Sequence, residues 1–454
     1  MQSRTKKLIP SEGTNGSEDR LSEMPDHLIV HILSFMPTLH AVKTMLLRRF
    51  GNLWTLVPTL TFDLEEYDQV IWPEEEDETI HEVFSSFARF IRKVLMLHKR
   101  HTIDSFHLSM KPFDVEFKDP KLIDDVQMWL RFAIDRQVKD LNLSFNGYDD
   151  LVLPHSIFMS QSLITLTLHG CMLEHQPNVH MGTLRELSLV NVKGSGQVFN
   201  QLILGCPSLR ELNINISNLS HVLNITSPSV SKLCLEIYHP DLCITLSCPN
   251  MKNLDILVCG IIQSFMVDAI DVSSLQKMNV KGLPTGSLSL FKTFLRQFRN
   301  VEVVTWSCHA LETLSWGRKI KFPRTKWKRL VLRPLWDDNR CVQVILELLK
   351  SSVKLEELIL HNYFSHDDQG YGCIESSTTS TYVMPLLKKV TIHRYGRFSK
   401  AQLQVVEIVL QNAILLEQLV IHGNRNLTAV NELNFVKQVS KFRRASANAT
   451  VIFD

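Results

Sequence analysis

The chain has 454 residues, of which 44% are apolar and 21% charged, and its formal net charge is +2. This composition predicts a folded, soluble protein with no overall attraction to nucleic acid. No stretch approaches the roughly 20 consecutive apolar residues that span a bilayer, and the N-terminus lacks the apolar segment of a secretory signal. We therefore expect a protein of the nucleus, the cytoplasm or both, with no membrane partner.

The first 40 residues change from a polar tail to a helical pattern. Residues 1–17 are rich in Ser, Gly and Lys, which predicts disorder. Pro25 then stands where a first helical turn begins, and Pro37 ends the segment. The apolar residues between them fall on one helical face. They are Leu28, Ile29, Ile32, Leu33 and Met36.

A second helix is predicted directly afterwards, with Thr38 placed to cap it. Its apolar residues again fall near one face. They are Val42, Met45, Leu46, Leu53 and Trp54. Helices this short bury little surface by themselves, so their apolar face predicts a partner protein.

Residues 63–78 contain nine acidic residues and no basic one. A run of one charge repels itself, which predicts an exposed loop between the helical segment and the remainder of the chain. Docking of a basic partner is the alternative function for this segment.

A six-residue pattern, L-x-x-L-x-L, recurs through the rest of the chain. Copies begin at Ile103, Val138, Leu163, Leu184, Leu209, Val230, Met251, Leu275, Val301, Trp327, Leu355, Leu387 and Leu416. The alternating apolar positions predict a short strand with one face turned inward, and such a strand is stable only when copies stack. Steps of 21 to 25 residues between the copies from Leu163 to Leu275 are typical of a leucine-rich-repeat solenoid. Ordinary βα units in an α/β sheet are the alternative.

Within each L-x-L pair the middle residue should point away from the core, onto the concave side of the solenoid. We predict that these middle residues bind a protein substrate. They are Thr167, Ser188, Asn213, Asp255, Asn279 and Thr305. The flanking Glu186, Glu211, Lys232 and Lys277 would set the charge of this surface.

Two further features have structural interpretations. Residues 318–329 contain seven cations with Phe322 and Trp327 among them, a composition that suits nucleic acid. Trp327 opens a repeat, however, which favours a core position and no nucleic-acid partner. Cys206 and Cys248 each precede a proline where a helix should end before the next strand, which predicts buried structural thiols.

The C-terminal segment, residues 384–454, contains the last two copies of the pattern with a helix predicted between them. Residues 450–453 read as one more strand. Because a solenoid needs its final repeat covered, we predict that this segment is a structural cap.

Two segments resemble a known family. Residues 18–38 read EDRLSEMPDHLIVHILSFMPT and residues 53–62 read LWTLVPTLTF, and together they resemble the F-box of the large plant F-box/leucine-rich-repeat family. Residues 384–392, MPLLKKVTI, and 405–421, VVEIVLQNAILLEQLVI, are similar to the FBD module that ends many of these proteins. The resemblance covers the whole chain.

The resemblance implies an α/β protein with an N-terminal helical F-box, an irregular leucine-rich-repeat solenoid whose parallel sheet lies on the concave side, and a C-terminal FBD cap. The expected boundaries are 1–17 for the disordered N-terminus, 18–64 for the F-box, 65–100 for an acidic linker and helix, 101–380 for the solenoid and 381–454 for the FBD module.

The resemblance also implies a function, that of a non-catalytic substrate receptor in a cullin-type ubiquitin ligase. The F-box would bind a Skp-family adaptor, which joins it to the cullin scaffold, and the solenoid would bind an unknown protein substrate. The implied adaptor contacts are Leu21, Pro25, Leu28, Ile32, Leu33, Leu53 and Trp54.

One departure from the family pattern favours an alternative. Residues 44–54, TMLLRRFGNLW, are one residue shorter than the family's run, with Phe50 in place of Trp and Gly51 in a helical stretch. A one-residue deletion rotates all later residues of a helix by about 100° around its axis, and Gly costs roughly 1 kcal/mol there. The alternative is an interaction scaffold whose degenerate F-box no longer recruits a ligase.

An enzyme is the third and weakest hypothesis. The sequence contains no H-E-x-x-H, P-loop, G-x-S-x-G or complete G-x-G-x-x-G motif. Two pairs could each supply half of a metal site, His98 with His101 and Cys243 with Cys248, but neither has a second pair at zinc-finger spacing. We expect no catalytic residue, no metal and no cofactor.

Overall fold

The computed structural model of the protein describes residues 24–47, 49–71, 80–110, 120–145, 151–173, 178–216, 222–238, 241–258, 264–282, 288–315, 321–334, 339–361, 383–393, 400–422 and 429–454. The chain forms two compact units, Met1–Ser109 and Met110–Asp454. Residues 1–17, the predicted disordered tail, lie outside the described part.

The first unit is mainly helical. It consists of α1 (Asp26–Leu33), α2 (Thr38–Lys43), two 3-10 turns (Thr44–Leu46 and Leu53–Leu56), β1 (Thr59–Asp63), α3 (Leu64–Ile71), α4 (Ile80–Leu97) and β2 (Ser105–Ser109). Strands β1 and β2 pair in parallel.

The start of α1 agrees with the sequence, because Pro25 precedes the helix with a φ of −58° and Asp26 places a carboxylate in the first turn. The prediction that Thr38 caps α2 is wrong. Pro37 holds that position, and Thr38 is the first helical residue. The buried Thr38 hydroxyl accepts a hydrogen bond from the backbone N–H of Thr61 at 2.7 Å, so it fastens α2 to β1 instead.

The expected helix through residues 44–54 is also absent from the described part of this run. The chain forms two 3-10 turns, and between them Gly51 has a φ of 38°, in the left-handed region that favours glycine. Gly51 therefore sits in a turn that needs it, so the helical cost assigned to this glycine does not apply.

Helix α4 and the two strands make the core of the first unit. Phe87 and Ile91 on α4 are fully buried, as are Phe62 and Phe106 on the strands, whose rings lie 5.7 Å apart. Helix α3 adds Tyr67, whose ring lies 5.2 Å from that of Phe87. Aromatic pairs at this separation stabilise a core beyond the area they bury.

The prediction of an exposed loop over residues 63–78 is thus wrong for Leu64–Ile71, which is helical. Leu64 and Tyr67 turn inward and are buried, whereas Glu65 is exposed and Glu66 and Asp68 are half-buried. An amphipathic helix buries its apolar residues on one face and leaves its acidic residues near solvent on the other. The composition of the segment alone did not reveal this division. Residues 72–79 lie outside the described part.

The second unit is an α/β array. Its helices are α5 (Pro120–Asp135), α6 (Gly196–Leu204), α7 (Leu288–Gln297), α8 (Cys308–Ser315), α9 (Asn339–Ser351), α10 (Lys400–Asn412) and α11 (Ala429–Ser440). Its strands are β3 (Asp140–Ser144), β4 (Thr165–His169), β5 (Glu186–Val190), β6 (Glu211–Ile216), β7 (Val222–Thr226), β8 (Lys232–Ile237), β9 (Asp241–Ser247), β10 (Asn253–Val258), β11 (Ser264–Asp271), β12 (Lys277–Val280), β13 (Val303–Trp306), β14 (Arg329–Leu332), β15 (Glu357–His361), β16 (Lys389–His393), β17 (Gln418–His422) and β18 (Thr450–Phe453).

The main sheet of this unit is parallel throughout and follows the chain, in the order β3-β4-β5-β6-β8-β10-β12-β13-β14-β15-β16-β17-β18. Neighbouring strands align the second and fourth residue of each strand, as in Leu187 opposite Leu212 and Leu189 opposite Ile214. These four side chains are at most 1% exposed. Fully burying one such side chain is worth roughly 1.5–3 kcal/mol, and the leucine-rich-repeat fold predicted from the sequence is confirmed.

A second parallel sheet, in the order β11-β9-β7, occupies the segments that link β6, β8, β10 and β12. The sequence predicted a helix before Cys248, and this is wrong because β9 ends at Ser247. The predicted helix before Cys206 is present as α6. Both thiols are buried as predicted, and burial raises the pKa of Cys206 to about 12.

The C-terminal segment continues the array. The two predicted strands are β16 and β17, and the predicted helix between them is α10, with Val406, Val409 and Leu410 buried. Residues 450–453 form β18, which pairs with β17 as predicted. Ile452 and Phe453 on β18 remain exposed, so the final strand leaves apolar surface open.

Candidate protein-interaction surfaces

The first candidate surface is an apolar patch on the first unit. We define the α1–α2 patch as the exposed apolar side chains of α1 and of the turns that follow α1 and α2. They are Leu28, Ile32, Phe35, Met45, Leu46 and Leu47. Phe35 is 76% and Leu46 is 84% exposed. Clustered large apolar side chains at such exposure mark a surface that binds another protein.

The structure divides the predicted adaptor contacts into two groups. Pro25, Leu28 and Ile32 are exposed, and Leu53 is half-buried. Leu33 and Trp54 are only 2% and 3% exposed, so they pack inside the unit and support the patch from beneath. Leu21 lies outside the described residues.

Phe35 and Leu47 were not predicted from the sequence as candidate contacts, and Met45 and Leu46 were placed on a helical face without being assigned to the adaptor. Residues 45–47, Met-Leu-Leu, did carry a signal, because three consecutive apolar residues cannot all turn inward from one short helix.

An ion pair fastens the shortened run of residues 44–54 to α1. The Arg49 guanidinium lies 2.7 Å from the Asp26 carboxylate and donates a hydrogen bond of 2.7 Å to the backbone carbonyl of Met24. Both ends of the α1–α2 patch are thereby held together, although the run departs from the family pattern.

The second candidate surface is the open face of the main sheet, which carries the first, third and fifth residue of each strand. The predicted register is confirmed there, since the motif leucines are buried while the residues between them are half-exposed. Those half-exposed residues include all six predicted substrate contacts, which are Thr167, Ser188, Asn213, Asp255, Asn279 and Thr305.

A depression of about 360 Å³ lies on the early part of this face. It is lined by Thr165, Thr167, Glu186, Leu187, Ser188, Glu211, Leu212, Asn213, Lys232, Cys234 and Asp255. Four of the predicted contacts thus come together in one depression. Asn279 and Thr305 continue the same row, because Asp255 aligns with Asn279 and Asn279 with Thr305.

Charges in the depression are largely paired within the chain. Lys232 Nζ lies 2.7 Å from Glu211 Oε2, and this hydrogen bond raises the lysine's pKa. Lys281 Nζ lies 3.6 Å from Asp255 Oδ2. Desolvation raises the pKa of the Cys234 thiol, which keeps it protonated and unsuited to nucleophilic attack. The depression can therefore offer hydrogen bonds and local charge to a binding partner.

Three stacked histidines occupy the late part of the open face, as the last residue of β15, β16 and β17. We call His361, His393 and His422 the histidine row. Successive ring centroids lie 4.6 and 4.8 Å apart, with interplanar angles of 11° and 9°. This row was not predicted from the sequence, although the residue after three successive motif copies is His in each case.

Desolvation, and then the neighbouring ring, lowers the pKa of both His361 and His393. The row ends at Asp454, whose Oδ2 lies 3.1 Å from His422 Nδ1. The imidazole edges of the row can therefore meet a carboxylate.

The structure gives two of the candidate metal residues, His98 and Cys248, other partners. His98 is buried, and its Nε2 is 2.9 Å from the backbone carbonyl of Val57. Among the described residues, no group of three or more potential ligands is placed to hold a metal ion. Within the same residues, no helix combines the length and hydrophobicity that crossing a membrane requires.

A helical unit with an exposed apolar patch, followed by an array of parallel strands with a polar open face, defines a protein of the leucine-rich-repeat class. The family model described as FBD-associated F-box protein At5g56370, LRR repeats, matches residues 126–287. The chain belongs to the plant F-box/FBD/leucine-rich-repeat family.

Relatives from Arabidopsis thaliana match most of the chain. F-box/FBD/LRR-repeat protein At5g56420 is 26% identical over 460 residues, covering 96% of this chain and 99% of the relative. FBD-associated F-box protein At4g10400 is 25% identical, covering 96% and 100%. F-box/LRR-repeat protein At3g26922 is 31% identical over 254 residues, covering 54% and 76%.

Proposed function

We propose that the protein is a non-catalytic substrate receptor of an SCF-type ubiquitin ligase, acting in the nucleus, the cytoplasm or both. The first unit binds a Skp-family adaptor and through it a cullin, and the open face of the main sheet binds the protein to be ubiquitinated. The observation that carries this proposal is the α1–α2 patch, an exposed apolar surface in the F-box segment.

The physical contribution of such a receptor is positioning. A repeat array holds the target protein near a conjugating enzyme, which raises the local concentration of the target's lysines around the activated thioester. No nucleophile of this chain is needed for that step.

The α1–α2 patch can be tested with a single charge. Ile32→Asp is expected to abolish co-purification of the Skp-family adaptor, because a carboxylate forced into an apolar interface loses its hydration without gaining a partner. Ile32 is 41% exposed, so the substitution leaves the unit folded. Pull-down of the adaptor with purified protein, alongside circular dichroism, measures both effects.

Met96→Asp is the matched control, because Met96 is an exposed apolar residue on α4, outside the α1–α2 patch. Adaptor binding by a folded Ile32→Asp protein at the control's level would contradict the assignment. Leu33→Asp is not a usable probe, because Leu33 is buried and its replacement disrupts the unit itself.

The open face makes a separate prediction. Thr167→Lys, Asn279→Lys and Thr305→Lys together should change the set of proteins that co-purify with the chain, while the thermal midpoint stays nearly constant. All three residues are half-exposed, and substitutions at such positions usually change stability within about 0.5 kcal/mol.

Affinity purification with mass spectrometry and thermal denaturation measure these outcomes. Leu187→Ala is the contrasting variant. Leu187 is a buried motif residue of β5, so its truncation should lower the thermal midpoint. An unchanged set of proteins bound to a folded triple variant would show that this face does not bind the target. An unfolded triple variant would show instead that these residues pack in the core.

A second candidate function is an interaction scaffold that recruits no ligase. The shortened run of residues 44–54, with Phe50 in place of Trp, favours it. Wild-type protein that binds target proteins but neither adaptor nor cullin would select this alternative.

A further inference from the structure

The histidine row is part of a longer row of polar groups at the edge of the open face. Arg333 comes directly after β14, and its backbone N–H donates to the carbonyl of Trp306 at 2.9 Å. The Arg333 side chain is exposed, and its positive charge adds to the desolvation and the neighbouring ring that lower the pKa of His361. The sequence of groups along the row is therefore Arg333, His361, His393, His422 and Asp454.

Charge is unevenly compensated along this row. At one end, His422 already meets a carboxylate, that of Asp454. At the other end, no carboxylate of the described residues forms an ion pair with Arg333. Among the described residues, the end formed by Arg333, His361 and His393 therefore keeps hydrogen-bond donors for an outside acceptor.

Charged groups at the opposite end of the same strands, four residues away, do not neutralise that end either. On β15, Glu357 is paired with Arg329, with 3.1 Å between Oε2 and Nε. On β16, Lys389 is exposed and adds positive charge. On β17 the matching position is the neutral Gln418, and Asp454 beyond β18 is occupied by His422.

We propose that Arg333 and the histidine row form a docking surface for an extended acidic segment of the target protein, whose carboxylates bond to the guanidinium and to the ring edges. This rests on the proposed function, in which the open face binds that target. The contact between His422 and Asp454 is the chain's own example of the same chemistry.

The geometry favours a peptide of carboxylates over a nucleic acid. The rings stack on one another at 4.6 and 4.8 Å, so the faces between neighbouring rings are not available for stacking with bases. The nitrogen atoms at the ring edges remain as hydrogen-bond donors, one on each of three neighbouring strands. Alternate side chains of an extended segment lie roughly 7 Å apart on one side, so two acidic residues in an alternating sequence reach different members of the row.

Protonation gives this surface a defined pH dependence. The pKa values of free His361 and His393 are lowered, and a bound carboxylate raises them because it favours the charged imidazolium. Binding therefore takes up protons. Affinity is highest below the lowered pKa of the free protein and is lost as pH rises through the raised pKa of the complex.

The test measures fluorescence anisotropy of labelled decapeptides with the full chain at low salt. The probes alternate Ser with Glu, with Gln or with phosphoserine. We expect the Glu peptide to bind about tenfold more tightly at pH 6 than at pH 8, the equivalent of one pKa unit. Arg333→Gln should weaken it by about fivefold or more at both pH values, since it removes a charge-assisted hydrogen bond.

Replacing His361 and His393 together by Gln should remove the pH dependence. Arg296→Gln is the matched control, because Arg296 is an exposed cation on α7, outside the strands that carry the row, and its loss should leave the affinity unchanged. Equal affinity for the Glu and Gln peptides, or unchanged binding by the Arg333 and histidine variants, would overturn the proposal. Tighter binding of the phosphoserine peptide than of the Glu peptide would replace it with a phosphate site.

Adaptor binding measured on the same samples separates the two proposals. A chain that binds adaptor but discriminates against none of the peptides refutes the docking surface alone. A chain that binds the Glu peptide as expected but no adaptor refutes the ligase function.

Discussion

Truncation after residue 380 is expected to give aggregated or protease-sensitive protein. The deletion removes β16, which pairs with β15 over five residues from Glu357↔Lys389 to His361↔His393. It also removes α10, which packs against α9. The truncated array would end in an unpaired strand edge beside an uncovered helix, the combination that promotes association between chains.

The expected loss is large compared with the stability of a domain. Leu358 and Leu360 on β15, and Ile345 and Leu349 on α9, are at most 1% exposed. Uncovering several such side chains, at roughly 1.5–3 kcal/mol each, approaches the whole stability of about 5–15 kcal/mol typical of a domain.

Size-exclusion chromatography, limited proteolysis and urea denaturation measure this outcome. Removal of residues 450–454 alone is the matched control. It deletes a strand whose side chains are mostly exposed, so the protein should remain soluble. A soluble, monomeric and cooperatively folding truncation at residue 380 would show that the FBD module is an independent domain rather than a cap.

Trp327→Ala is expected to lower the free energy of unfolding by about 3–5 kcal/mol, the usual cost of deleting a buried aromatic side chain. Trp327 is fully buried, its ring centroid lies 6.2 Å from that of Trp306, and its Nε1–H donates to the Phe298 carbonyl at 3.2 Å. The substitution leaves both a cavity and a buried carbonyl without its donor.

Urea denaturation followed by circular dichroism gives the measurement. Trp327→Phe, which keeps most of the apolar volume but lacks the N–H, should cost less than the Ala variant. A loss below about 1 kcal/mol for Trp327→Ala would mean that this tryptophan is not part of the core. In that case its neighbouring cations would again suggest a stacking surface for nucleic acid.

The repeating strands could be predicted from the sequence because their signal is local and periodic. Strict alternation at positions such as Leu187 and Leu189 fixes which residues face the core, and the same pattern recurs in every copy. The links between strands have no such pattern. Three of these links form the strands β7, β9 and β11. Each becomes a strand only because it pairs with a neighbouring link, and a single link does not show this in its own sequence.

The candidate surfaces were partly predictable. The open face could be derived from the strand register, and the apolar stripe of α1 from its spacing. The packing of α1 against the later turns decides which apolar residues stay exposed. The sequence therefore could not show that Leu33 and Trp54 are buried while Leu28 and Ile32 are exposed. The histidine row required the alignment of strands some 30 residues apart, which no single copy of the motif shows.

The chain-following order of the main sheet also determines how easily the array accepts extra residues. Every strand joins the next copy along the chain, so each pairing closes one loop, of 21 residues between the copies at Leu163 and Leu184 and of 32 between those at Leu355 and Leu387. Because the entropy of closure grows only with the logarithm of loop length, the longer step costs only about 0.4 kcal/mol more. Insertions in the links are thus nearly neutral for folding, whereas a one-residue insertion inside a strand would turn its leucines outward.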